Sequence, residues 1–376
     1  MMRGVVVKNF APDLDRLKAM GRYRSLCLPA GIDFSSNDYL GLSTHPALRQ
    51  AAIEALQGGI EIGATASRLL RGHRQAHEEL ESFAADYYGC PCTLFFANGF
   101  QANYALITTL VEHHDVAIFD ALCHASMRDG LHAAQCRTVK IPHNNLEAFE
   151  DALEKHVAAG CNKWILVESI YSMDGDIAPV RELLMLAEKY DAILVVDEAH
   201  GTGVSGATGR GETEGFVHDR LISLHTCGKA LGVAGALVCA NENIIDYLIN
   251  TARPFIYSTA PMPLQAVLVK RALELVRDEP ERRERLAALK ALVARRIPAF
   301  AVKSQIVPII IGEDATALAL AKNLQAQGFD IRAIRPPTVP EGTARLRLSL
   351  HVGLTAQDIE NFAQALERLL PSGVGL

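Results

Sequence analysis

The chain has no long apolar run: no stretch approaches the roughly 20 residues that a membrane span requires, and Met1–Phe10 lacks the continuous apolar segment of a secretory signal. It has no basic cluster, and its formal net charge of -6 is modest, which argues against nucleic acid or an anionic membrane as a partner. Metal binding is not expected either. The eight cysteines show no zinc-type pairing, and Cys90-Pro91-Cys92 is tighter than a CxxC spacing, so the thiols read as reduced and mostly buried. Internal repeats and low-complexity linkers are missing as well. What is present is a 376-residue chain with 49% hydrophobic and 21% charged residues. That composition predicts a well-filled globular core in a cytoplasmic protein.

Strand-then-helix units recur along the sequence. Thr93 to Ala97 reads as a strand, Asn98-Gly99 as a turn and Phe100 to Val111 as a helix. Val116 to Phe119 is the next strand, followed by a loop from Asp120 to Gly130. Trp164 to Glu168 repeats the theme, and a helix from about Val180 to Tyr190 leads into the apolar strand Ala192 to Asp197. Such alternation predicts an α/β fold with a mostly parallel central sheet covered on both faces. The charged stretch Asp278 to Arg296 reads as a solvated helix face. Beyond it come a strand near Ile306 to Ile311, a helix Ala315 to Gln327, the loop Arg335 to Thr338, a strand Ala344 to Ser349 and a last helix from Thr355. The expected organisation is an N-terminal segment (1–40), a large domain (41–255) and a smaller α+β C-terminal lobe (256–376).

Two positions suggest a specific chemistry. Lys229 lies in the small-residue loop Thr226-Cys227-Gly228-Lys229, after the apolar run Leu221 to Leu224, where an amine can form a Schiff base with an aldehyde cofactor. Asp197 ends a buried strand, and ligands of open α/β sheets collect at such ends. A carboxylate there suits pyridoxal 5'-phosphate, whose ring acts as an electron sink only while its nitrogen stays protonated. Read singly, Asp197 would be a helix cap and Lys229 a surface lysine; the joint pattern with His200 favours the cofactor. His200 suits the phenolic oxygen of the ring. Asn98-Gly99-Phe100-Gln101 turns from strand into helix and offers free N–H groups to a phosphate, with the Thr226 hydroxyl approaching from the lysine side. His124, just beyond a strand end, is either an ordinary loop residue or the flat partner over the ring, and Ser172 is either a turn residue or a polar contact to it.

Several blocks together resemble the α-oxoamine synthase family. They are Asn37 to Leu42, Ser67 to His73, the His124 loop, Tyr171 to Asp176, Asp197 to Gly211 and Thr226 to Gly235, and the similarity runs from about Asp33 to the C-terminus. The resemblance implies fold type I, the aspartate-aminotransferase architecture, with Lys229, His124 and Asp197 as the catalytic set. It further implies that Gly99, Phe100 and Thr226 serve the phosphate and that Ser172 and His200 approach the ring substituents. Thr338 matches a substrate-binding threonine, and Arg347 matches the arginine that receives the amino-acid carboxylate, with Asn37 and His124 beside it. Strand alternation puts Arg345 and Arg347 on one face, so spacing alone does not separate them. Ser258 and Thr259 resemble a segment that reaches the cofactor phosphate from a neighbouring subunit, which implies a homodimer.

The blocks lie nearest the branch that joins L-alanine to a pimeloyl thioester with loss of carbon dioxide, in biotin biosynthesis. A sister branch using glycine or another short amino acid is the alternative, and a non-catalytic subunit of this fold would be expected to lack the lysine. The region between Tyr23 and Asp33 is short for the family, leaving either Arg22 or Arg24 to meet the acyl substrate. Cys227 stands where a larger apolar residue is common and reads as packing.

Overall fold

The computed structural model describes residues 8–156 and 161–370. Seven strands form its main sheet: β1 (Cys92–Phe96), β2 (Val116–Asp120), β3 (Arg137–Ile141), β4 (Lys163–Glu168), β5 (Ala192–Asp197), β6 (Leu221–Thr226) and β7 (Ala236–Ala240), in spatial order β1-β7-β6-β5-β4-β2-β3. The pairings from β6 through β3 are parallel, whereas β7 runs antiparallel to both β6 and β1. A parallel sheet needs cover on both faces, and the strands supply apolar side chains to each in alternation. Trp164, Leu166, Val195 and Ile222 pack with Leu106 and Met127 on one side. Ile165, Val167, Leu194 and Val196 pack with Phe149 and Leu183 on the other.

Four helices covering the sheet matter here: α1 (Gly99–Leu110), α2 (Ala125–Ala134), α3 (Leu146–Lys155) and α4 (Val180–Lys189). One of them corrects an expectation. The segment Asp120 to Gly130 is not a loop throughout, because α2 begins at Ala125 and runs through Gly130. Gly130 lies inside this helix, and its missing side chain lets α2 approach α1: a Cβ there would stand 3.0 Å from Cβ of Ile107. The thiols also differ from expectation. Cys123, Cys227 and Cys239 are buried, but Cys27 is exposed and the other four are half-buried, Cys92 at the start of β1 and the rest in loops.

Helices α5 (Pro263–Asp278) and α6 (Glu281–Arg296) follow the main sheet. The charged α6 is solvated over most of its surface but buries Leu286, Leu289 and Val293 as one stripe. Next comes an antiparallel sheet of β8 (Ile306–Gly312), β9 (Ala333–Ile334) and β10 (Ala344–Ser349), ordered β9-β10-β8, with helices α7 (Asp314–Ala326) and α8 (Ala356–Leu369). The N-terminal segment docks on this part of the chain. Ile32–Asp33 pairs in parallel with Phe329–Asp330, and Phe34, Tyr39 and Leu40 share a core with Leu346, Leu348 and Phe362. That docking carries Asn37 and Tyr39 towards the carboxyl ends of the main strands. No helix among the described residues is long and apolar enough to cross a membrane.

Candidate active site

A cavity of about 320 Å³ opens at those strand ends, and its wall includes Asn37, Gly99, Phe100, His124, Asp197, Thr226 and Lys229. Seven expected residues thus meet in one place, although they come from five separate stretches of chain. Glu168, Asn103 and Ser126 line the same cavity and were not anticipated.

Asp197 is buried where β5 ends. Its Oδ1 accepts the Ala199 N–H at 2.9 Å, and its Oδ2 accepts from Nδ2 of Asn103 at 2.7 Å. Asn103 sits one turn into α1 and also reaches Oγ of Ser126 at 3.0 Å, so the carboxylate is held from two elements. The side chain of Lys229 reaches Nε2 of His200 at 2.9 Å. Burial lowers its pKa to about 8, with Asp197 and Glu168 pulling in the opposite direction.

The N-terminus of α1 forms another part of the wall. Oδ1 of Asn98 accepts the Gln101 N–H at 2.9 Å, which caps the helix while leaving its first N–H groups free. Gly99 is required here, since a Cβ would come within 2.5 Å of Cγ2 of Thr226. A bare helix terminus, a threonine hydroxyl, a buried carboxylate and a desolvated lysine in one cavity fit the phosphate, ring nitrogen and aldehyde of pyridoxal phosphate. His124 caps α2: its Nδ1 accepts the Ser126 N–H at 3.2 Å, which leaves Nε2 as the protonated nitrogen of the neutral ring. Desolvation holds the His124 pKa below the ordinary value, against the pull of Asp197.

Other expected residues lie outside this wall. His200 is buried behind Lys229. Ser172 acts through its backbone, donating its N–H to Oε2 of Glu168 at 3.2 Å and accepting Nε of Arg347 at 2.6 Å on its carbonyl. Thr338 lines a separate cavity of about 170 Å³ with Arg22, Arg24 and Arg335. Ser258 is half-buried and Thr259 exposed, and neither faces the main cavity from within its own chain.

The structure also separates the two arginines of β10, both of them buried. Arg345 pairs with Asp174 at 2.5 Å. Arg347 donates to the Ser172 carbonyl, to Oγ of Ser349 at 2.7 Å and to the Tyr39 hydroxyl at 3.3 Å, and among the described residues no carboxylate pairs with it.

Glu168 had a readable signal, because it ends β4 just as Asp197 ends β5 and the two stand opposite each other in register. Tyr39 lay inside a quoted block but had no assigned role. Asn103 offered only its place one helical turn beyond Gly99.

Residues 29–366 match the family model for aminotransferase class I and II, which puts the chain in the class of pyridoxal-phosphate enzymes of fold type I. The 8-amino-7-oxononanoate synthase of Geobacter sulfurreducens is 39% identical to it, over 97% of this chain and 98% of its own. That of Chromobacterium violaceum is 44% identical, over 85% of this chain and 84% of its own. Among solved structures, 8-amino-7-oxononanoate synthase from Francisella tularensis superposes with a TM-score of 0.77 at 29% identity, covering 90% of this chain and 97% of that one. A serine palmitoyltransferase from S. paucimobilis, solved with PLP and myriocin, gives a TM-score of 0.86 at 26% identity, covering 96% and 97%. The chain belongs to the 8-amino-7-oxononanoate synthase family within the class I and II aminotransferases.

Proposed function

We propose that the protein condenses L-alanine with a pimeloyl thioester of coenzyme A or an acyl carrier protein, forming 8-amino-7-oxononanoate, carbon dioxide and free thiol in the cytoplasm. The observation that carries this reading is the meeting of Lys229 and Asp197 in one cavity, with Arg347, free of any carboxylate partner among the described residues, one hydrogen bond from Tyr39.

Bound there, pyridoxal phosphate supplies an electron sink for negative charge at the amino-acid Cα, with Lys229 the amine that would hold its aldehyde carbon. Asp197 would keep the ring nitrogen protonated. Gly99, Phe100 and Thr226 would hold the phosphate, and His200 and Ser172 would stand near the ring substituents. Arg347 receives the alanine carboxylate, aided by Asn37, as a charge-assisted pair. Lys229, partly neutral near pH 7 because burial lowers its pKa to about 8, takes the Cα proton. His124 would lie over the ring, where its Nε2–H would donate to the thioester carbonyl oxygen as charge develops there. The Cα–acyl bond forms, the C–S bond breaks, and the thiol leaves with a proton. Loss of carbon dioxide and reprotonation of Cα then yield the aminoketone.

The cavity with Arg22, Arg24 and Thr338 would take the acyl end. A homodimer would complete the site, with Ser258 and Thr259 of one subunit reaching the phosphate in the other. In support, Leu70 is 78% and Tyr257 71% exposed in the single chain, an apolar surface that a second copy would cover.

The test is thiol release by the purified protein from pimeloyl, acetyl and succinyl thioesters with L-alanine or glycine. L-alanine with the pimeloyl thioester is the expected pair. Turnover with glycine alone would assign the protein to a sister branch.

A further inference from the structure

Three acidic side chains end three adjacent strands: Asp120 on β2, Glu168 on β4 and Asp197 on β5. All three are buried. Neighbouring carboxylates in a desolvated wall do not all stay ionised unless each finds a cation or a set of donors. Two of them do. Asp120 accepts from His143 at 2.8 Å and from the N–H groups of Leu122 and Asn144. Asp197 accepts from Asn103 and the Ala199 N–H. Glu168 has the Ser172 N–H on Oε2 alone, while its buried Oε1 has no partner among the described residues and the side chain lines the cavity. An orphaned buried oxygen is costly on an anion but suits a protonated acid awaiting an acceptor.

We propose that Glu168 stands in the active site as a neutral carboxylic acid that donates its proton in a hydrogen bond to an oxygen of the bound ligand. This rests on the reading of the cavity as a pyridoxal-phosphate site. Its consequence is electrostatic. Of the acids that line the cavity, Asp197 alone carries a negative charge, and an anionic cofactor and substrate do not meet two carboxylates side by side.

The surroundings agree. Burial and then the charge of Asp197 raise the Glu168 pKa to about 8, against Lys229 and the Ser172 N–H. The other titratable groups that act on it are Asp120, the Cys123 thiol and the Tyr171 phenol. As pH rises through about 8 the acid loses its proton, a second charge appears beside Asp197, and anion binding weakens.

Infrared spectroscopy of the holoenzyme reads this proton directly. A protonated-carboxyl band is expected at neutral pH that shifts when pyridoxal phosphate is released, fades as pH rises through about 8 in the cofactor-free protein, persists to higher pH in the holoenzyme and is missing in Glu168→Gln. Glu198, a second buried acid raised to about 7, lines a different part of the fold, and its band should not move with the cofactor. The affinity of wild type for pyridoxal phosphate relative to Glu168→Gln should fall about tenfold between about pH 7 and about pH 9. If Glu168→Gln does not fold, the wild-type band still decides. A holoenzyme with no cofactor-sensitive band, or a ratio that stays flat with pH, overturns the proposal. A protein that takes up no pyridoxal phosphate at all contradicts the proposed function instead.

Discussion

Nζ of Lys229 stands 2.9 Å from Nε2 of His200, and the neighbours of that imidazole determine its tautomer. The Tyr39 hydroxyl has one proton, which it gives to Oδ1 of Asn37 at 2.9 Å. Nδ1 of His200, 2.6 Å from the same hydroxyl, must then be the N–H donor, and Nε2 the acceptor that receives Lys229. Burial first, then the nearby cations Lys229 and Arg347, hold His200 well below its ordinary pKa, so it stays neutral. Lys229, His200, Tyr39 and Arg347 form one hydrogen-bonded chain.

Replacing Tyr39 with Phe breaks that chain at its middle. The buried Nδ1–H of His200 loses its acceptor, a defect that costs about 1–3 kcal/mol. Urea unfolding should register a loss of that size, and an unchanged midpoint would mean that the hydroxyl orients nothing.

The lowered pKa of Lys229 has a kinetic signature. Only the neutral amine attacks an aldehyde, so capture of pyridoxal phosphate by cofactor-free protein should speed up as pH rises through about 8 and then level off. Stopped-flow absorbance follows this directly. A rate still climbing at the pKa of a free lysine would contradict the desolvated position.

Arg345 and Arg347 should fail in different ways. Arg347→Ala is expected to raise KM for L-alanine by roughly 30- to 100-fold, about 2–3 kcal/mol of charge-assisted binding. Arg345→Ala leaves the half-buried Asp174 without its partner, costs about 1–3 kcal/mol of stability and leaves KM nearly unchanged. Steady-state kinetics and denaturant unfolding of both variants separate the roles.

His143 bridges Asp120 and Asp176 at 2.8 and 2.6 Å. Burial disfavours its charge, but the hydrogen bonds to Asp120 and then Asp176 prevail and carry its pKa to about 10. Because the folded value lies above the unfolded one, the stabilisation is complete below about pH 6.5 and is lost as pH climbs through about 10. His143→Gln should remove this part of the alkaline decline in melting temperature, and a decline identical to wild type would assign it to other groups.

The parallel sheet was legible because its strands are unbroken apolar runs and its helices carry helical periodicity, as in Ala192 to Asp197 and Val180 to Lys189. The expected strand Ala344 to Ser349 matches β10 residue for residue. Other features depend on contacts distant in sequence. In helix α2, the meaning of Gly130 is its contact with Ile107. Strand β7 was not anticipated, and its pairing with β1 joins stretches far apart in the chain. At the site, Lys229, Asp197 and Gly99 could be picked out from where strands end. The separation of Arg345 from Arg347 could not, because it depends on Asp174, which lies 171 residues away from Arg345 in the chain.

The most direct measurement is borohydride reduction of the yellow holoenzyme followed by peptide mass mapping. A phosphopyridoxyl group on Lys229, with bleaching of the visible band and with Lys229→Ala folded but unlabelled and inactive, is the expected result. Label on a different lysine, or wild-type turnover by Lys229→Ala, would contradict it.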